Sequence, residues 1–160
     1  KLGFLNVDLR DLDCVDIKSS AWDLKLTNFP NGIDYLYSRH MIEHLASYEL
    51  IRVINNWKAL LNDGAILELI VPSIEFHSLQ YLSSKYASND YRHALAGFNG
   101  WQRCEGQDYW DVHKSSFDRQ ELSEVLNRNF DIVKLYFDKS KPKNIHVICQ
   151  ISVKKLTLEG

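Results

Sequence analysis

Cysteine is scarce in this chain and badly placed for any framework: Cys14, Cys104 and Cys149 are odd in number, far apart, and form no Cys-X-X-Cys pair. A disulfide-stapled fold and a zinc ribbon are both excluded, and reduced thiols are expected. Long apolar runs are missing as well. No stretch approaches the roughly 20 residues of a membrane span, and no basic-then-apolar opening resembles a signal peptide, so the chain is expected in the cytoplasm and off the membrane. Charge of one sign is equally short. A formal net charge of -2 makes no electrostatic case for nucleic acid or anionic lipid. No repeat, low-complexity tract or linker interrupts the 160 residues, whose 45% hydrophobic and 25% charged content suits one globular domain over 1–160.

What is present is organised around residues 33–72. Ile33 to Tyr37 is short, apolar and rich in β-formers, and Ala65 to Val71 is a second apolar run closed by Pro72, so both read as buried strands. Between them Leu50, Val53, Ile54, Trp57, Leu60 and Leu61 recur at three- and four-residue steps, which puts them on one helix face. Asn62-Asp63-Gly64 supplies a turn, with Gly64 expected just past the helix. The unit is a βαβ crossover and implies a parallel sheet. In such sheets ligands bind beyond the carboxyl ends of the strands. That edge carries Ser38-Arg39-His40-Met41-Ile42-Glu43-His44, with two histidines and a carboxylate in one turn.

Elsewhere, Leu2 to Leu9 reads as a strand ending at Asp8, and Cys14 to Ile17 as a second short one. Ser73 is placed to cap a helix running to about Ala87. From Ser88 to Ser116 the periodicity breaks, with Gly97, Gly100 and Gly106 among Tyr91, Phe98, Trp101, Tyr109 and Trp110, and an irregular, lid-like segment is expected. Asp118 and Glu121 match a capping-box spacing ahead of Leu122, Val125 and Leu126. Two strands, about Phe130 to Phe137 and Ile145 to Val153, close the chain as an antiparallel hairpin. His77, His93 and His146 read as ordinary surface or helix histidines.

Five segments in order carry a resemblance: Gly3-Phe4-Leu5-Asn6-Val7-Asp8, Tyr37-Ser38-Arg39-His40-Met41-Ile42-Glu43-His44, Trp57-Lys58-Ala59-Leu60, Gly64-Ala65-Ile66-Leu67-Glu68-Leu69-Ile70-Val71-Pro72 and His113-Lys114-Ser115-Ser116-Phe117. Together the sequence resembles the class I S-adenosylmethionine-dependent methyltransferases, specifically their small type 11-like members. The resemblance implies an α/β, Rossmann-like methyltransferase fold: a mostly parallel sheet with an antiparallel C-terminal hairpin and helices on both faces. It implies S-adenosylmethionine as cofactor, with Asp8 accepting the ribose hydroxyls, Ser20 at the position that meets the adenine amino group, and Ser38 and His40 beside the methionine part and the substrate entrance. It also implies a small-molecule or sugar-type acceptor. The glycine loop and first strand of such enzymes, which precede the GFxNVD element, have no counterpart ahead of Gly3. The second and fourth family strands are therefore expected either to become neighbours or to be completed otherwise, and a free edge favours pairing into a homo-oligomer.

Methyl transfer needs alignment and, for a hydroxyl or amine acceptor, removal of a proton. His40 and His113 are the first candidate bases, with His44 a third, because histidine titrates near neutrality. Two other readings stay open. One is a non-catalytic methyltransferase-like module that has lost its cofactor loop. The other is a metal-dependent enzyme using His40, Glu43 and His44, since His40-Met41-Ile42-Glu43-His44 fits the H-x-x-E-H spacing of inverzincins, and His113 is placed to join such a cluster.

Overall fold

Periodicity, capping and strand pairing agree best in the middle of the chain. The computed structural model describes residues 3–102 and 111–151. Helix α1 (Ser47–Leu60) buries the stripe Leu50, Val53, Ile54, Trp57 and Leu60, and the Glu49 carboxylate accepts the Ala46 N–H at its start (2.7 Å). Burying each aliphatic side chain contributes about 1.5–3 kcal/mol. Strand β3 (Ile33–Arg39) precedes it and β4 (Leu61–Pro72) follows, paired in parallel. The helix stop differs from expectation. Leu61 is already extended at φ -82°, while Gly64, at φ +76°, lies inside β4. Asn62 donates to Asn31 O and Asp34 Oδ1 (2.9 Å each), which fastens the start of β4 beside β3 and leaves no room for a separate turn.

The C-terminal strands β5 (Asp131–Phe137) and β6 (Asn144–Gln150) form the expected antiparallel hairpin, and β6 adds antiparallel to β4, giving the order β3-β4-β6-β5. Alternation along β4 and β6 sends Ala65, Leu67, Leu69 and Val71, with Ile145, Val147 and Cys149, into one core with α1 and with Leu122 and Leu126 of α4 (Arg119–Asn127). Asp118 caps α4, its Oδ1 accepting the Glu121 N–H (2.7 Å). Burial pushes the Cys149 thiol up to about 12, so this cysteine is an inert core residue. The fold is α/β and Rossmann-like, as the crossover implies.

Near the N-terminus, β1 (Val7–Asp8) and β2 (Ile17–Lys18) are two residues each, far shorter than the run Leu2 to Leu9 suggested, and pair in parallel as a separate small sheet. Neither is a neighbour of β3. Phe4 instead meets Tyr35 edge-on, with ring centroids 5.7 Å apart.

After β4, Ser73 caps α2 (Ile74–Ser83) by accepting the Phe76 N–H (3.2 Å). The helix stops before Ala87 because Ser83 and Ser84 turn their hydroxyls back onto Leu79 and Gln80 carbonyls (2.8 and 2.6 Å). The segment expected to be irregular begins with a regular helix, α3 (Asn89–Asn99), capped by Ser88 and ended by Gly100 at φ +77°. Gly97 sits inside it for a packing reason: a Cβ there would fall 2.2 Å from the His77 ring. Cys104, Gly106, Tyr109 and Trp110 lie outside the described residues.

Candidate functional site

At the carboxyl end of β3, Ser38 is buried in the strand and His40 turns the chain at φ +50°, a left-handed conformation uncommon outside glycine and asparagine. The His40 N–H holds the Ile70 carbonyl (2.9 Å), fixing this corner to the next strand. A single 3₁₀ turn, Ile42–His44, follows, and burial of Ile42 anchors it in the core. Glu43 is carried inward with it to 1% exposure.

The segment 112–115 is laced to this turn from about 70 residues away. Lys114 and Ser115 N–H groups both donate to the Glu43 carbonyl (2.8 and 3.0 Å), and Ser115 Oγ donates to Leu45 O (2.7 Å). His44 Nδ1 meets Val112 O (3.1 Å), and His113 Nδ1 meets Gly97 O (2.9 Å). A carbonyl oxygen only accepts, so Nδ1 is the protonated nitrogen of both rings and Nε2 keeps its lone pair when they are neutral. The two rings pack edge-on at 5.0 Å. Glu43, His44 and His113 each bring one ligand-type atom within 4.8 Å of the others. His40 Nδ1 reaches Glu43 Oε1 at 3.2 Å, whereas Glu43 Oε2 is buried without a hydrogen-bond partner. Burial also lowers the His113 pKa below the usual histidine range.

The structure therefore brings two of the expected site residues to Glu43: His40 in contact with its carboxylate and His113 with a ring nitrogen within 4.8 Å of it. Asp8 and Ser20 belong to the N-terminal segment, Asp8 on the small sheet and Ser20 two residues past its second strand. Asp8 ends β1, but its carboxylate is gripped by Arg10 through Nε (3.0 Å), Nη2 (2.9 Å) and the backbone N–H (2.9 Å), which holds its pKa below the usual carboxylate range. Ser20 is buried and gives its hydroxyl to Asp23 Oδ2 (2.7 Å). Ser20 and Asp23 thus present a hydroxyl and a carboxylate side by side at this corner.

Beyond the turn lies an open cavity of about 490 Å³ with Phe76, Gln80, His93, Trp101, Lys141 and Lys143 on its walls. A packed row of histidines lies between it and the turn. His113 holds the Gly97 carbonyl, Gly97 abuts His77, and the His77 and His93 rings are 5.1 Å apart. His77, read as an ordinary surface or helix histidine, lies in α2 and is 4% exposed, and desolvation lowers its pKa to about 4. His146 is tied to Asp138 (2.7 Å), away from this row.

The sequence matches no family model, and no curated protein matches it. Solved structures do. The N-methyltransferase NodS from Bradyrhizobium japonicum, in complex with S-adenosyl-L-homocysteine, superposes with a TM-score of 0.53 at 8% identity over 91% of this chain and 64% of its own. An O-methyltransferase family protein from Burkholderia thailandensis gives 0.53 at 15% identity over 87% and 36%. A SAM-dependent methyltransferase from Methanosarcina mazei gives 0.52 at 17% identity over 85% and 66%. The chain has the class I methyltransferase fold. It spans between about a third and two thirds of these proteins' lengths. In open parallel sheets ligands are met beyond the carboxyl ends of the strands, and Asp8 and His40 lie at those ends of β1 and β3. No described helix is long and apolar enough to cross a membrane.

Proposed function

We propose that the chain is an S-adenosylmethionine-dependent methyltransferase acting on a small-molecule or sugar-type acceptor. The observation that carries this reading is a titratable turn, His40 to His44, at the end of a β-strand in a methyltransferase fold. The cofactor supplies a methyl group already activated on a sulfonium. The work left to the chain is binding, alignment and handling of one proton. Asp8 would accept the ribose hydroxyls, which requires the Arg10 side chain, 56% exposed, to give up its place on that carboxylate. Asp23, oriented by Ser20, takes the adenine amino group, and Ser38 and His40 border the reacting end. His40 receives the acceptor's proton at Nε2 while Glu43 Oε1 steadies the imidazolium at Nδ1. His113, whose pKa is lowered, is the second base candidate. The cavity beside the histidine row suits a polar ring compound: Trp101 and Phe76 offer ring faces, and Lys141 and Lys143 offer donors. Its basic wall favours an acceptor bearing a carboxylate or phosphate. A cytoplasmic location follows the same reading.

One observation favours a second reading. Arg10 already occupies both oxygens of Asp8, as it would in a binding module that no longer turns over. Calorimetric titration with S-adenosylmethionine and S-adenosylhomocysteine separates the two. The enzyme reading expects micromolar binding that Asp8→Ala weakens at least tenfold, the loss of about 1.5–3 kcal/mol expected for a charge-assisted hydrogen bond. Absence of binding by the folded protein removes that reading.

A further inference from the structure

We infer that Glu43, His44 and His113 form a binding site for a divalent transition-metal ion of the zinc type. Three independent features of the site point the same way. The ligand atoms already lie within 4.8 Å of one another. In a filled tetrahedral site, with bonds of about 2.0–2.2 Å, they would stand roughly 3.3 Å apart, so closure asks only for small side-chain rotations. Both imidazoles are prepared by a second contact: the Val112 and Gly97 carbonyls hold Nδ1–H and leave Nε2 bare, the arrangement that fixes ring and tautomer in metal-ligating histidines.

The third feature is the carboxylate. His40 satisfies Oε1, but Oε2 of a side chain only 1% exposed meets no donor. An unsatisfied buried polar atom costs about 1–3 kcal/mol, more when charged, and a cation at that oxygen would remove the penalty. A merely structural histidine pair would not need it. Two nitrogen donors and one oxygen suit zinc, cobalt or iron(II) and disfavour magnesium, which takes oxygen ligands. Three protein ligands also leave a position open for an oxygen ligand, as in reactive rather than structural metal sites. The histidine that completes the set is His113, 69 positions beyond His44 in the sequence, whereas His40 acts outside it by steadying the carboxylate. The ion is held by the chain alone and needs no cofactor; with the site filled, His113 is a ligand and His40 is left as the base of the proposed methyl transfer.

The test is titration of the chelator-stripped protein with Zn²⁺ and Co²⁺ in the absence of cofactor, in a Cys14→Ser background because that thiol is exposed. One equivalent is expected to bind. His44→Asn and His113→Asn should each weaken it at least tenfold, with circular dichroism verifying the fold, whereas His146→Gln should leave it unchanged. Because Glu43→Gln could disturb a buried turn, ¹⁵N-histidine NMR of the unaltered protein provides a second readout: Nε2, not Nδ1, of His44 and His113 should shift on adding Zn²⁺. Failure to bind one equivalent, binding indifferent to both histidine variants, or shifts confined to other histidines would overturn the site. A positive cofactor titration alongside any of these would leave the methyltransferase reading intact.

Discussion

The two ends of the candidate site are built to different standards. Around Glu43, distant segments are joined by backbone hydrogen bonds, and Ile42 and Phe117 flank the turn in a common core. Around Asp8, two strands of two residues each are held by Asn6 donating to Asp16 (2.7 Å) and by an Arg10 clasp within its own turn, with Val7 and Leu9 open to solvent. The first region is preorganised, so its groups need little ordering when a ligand arrives. The second is adjustable, and part of any binding energy there would go into rearranging the clasp.

The largest effect should come from the dense side. Phe117→Ala, at a side chain 2% exposed, is expected to destabilise by about 3–5 kcal/mol in denaturant unfolding, against less than about 1 kcal/mol for Val7→Ala on the small sheet. Comparable losses at both positions would erase the contrast. A somewhat smaller effect involves acid. The His77 pKa lies near 4 in the folded chain against 6.5 for an unperturbed histidine, so between these values the unfolded chain binds more protons. Stability is therefore complete above about pH 6.5 and falls as pH drops towards 4, by on the order of 3 kcal/mol from this group, with His93 and His113 shifted in the same direction. His77→Phe should flatten that slope in unfolding curves measured across the range. Smallest is the effect of Arg10→Ala on stability, under about 1 kcal/mol because the pair is exposed. The same substitution should strengthen cofactor binding by freeing Asp8, and weaker binding would mean that the clasp itself recognises the ligand.

Local signals in the sequence were reliable. The stripe from Leu50 to Leu60, the Ser73 and Asp118 caps and the His40-to-His44 turn each depend on residues within a few positions, and each stands where the spacing put it. Features that depend on distant partners were not legible. Gly97 reads as a helix breaker until His77 is seen occupying the space of its missing side chain. His77 reads as an ordinary surface or helix histidine, and its burial shows only once α3 is packed over it. The grouping of His113 with Glu43 and His44 is anticipated in the sequence, but the backbone hydrogen bonds of the 112–115 segment that hold it there are not.

The position of β4 between β3 and β6 fixes an order of assembly. Its parallel partner lies just one helix upstream in the chain, but its antiparallel partner is synthesised only after about 70 further residues. During synthesis the βαβ unit can close first, with one edge of its most apolar strand unpaired and the Glu43 turn lacking residues 112–115. The hairpin must then close over a long loop, a step that is slow because its entropy is lost before its contacts form. A nascent chain stalled before Asn144 would therefore expose Leu67, Leu69 and Val71 beside an open strand edge, and this is the interval in which the protein most needs protection from aggregation.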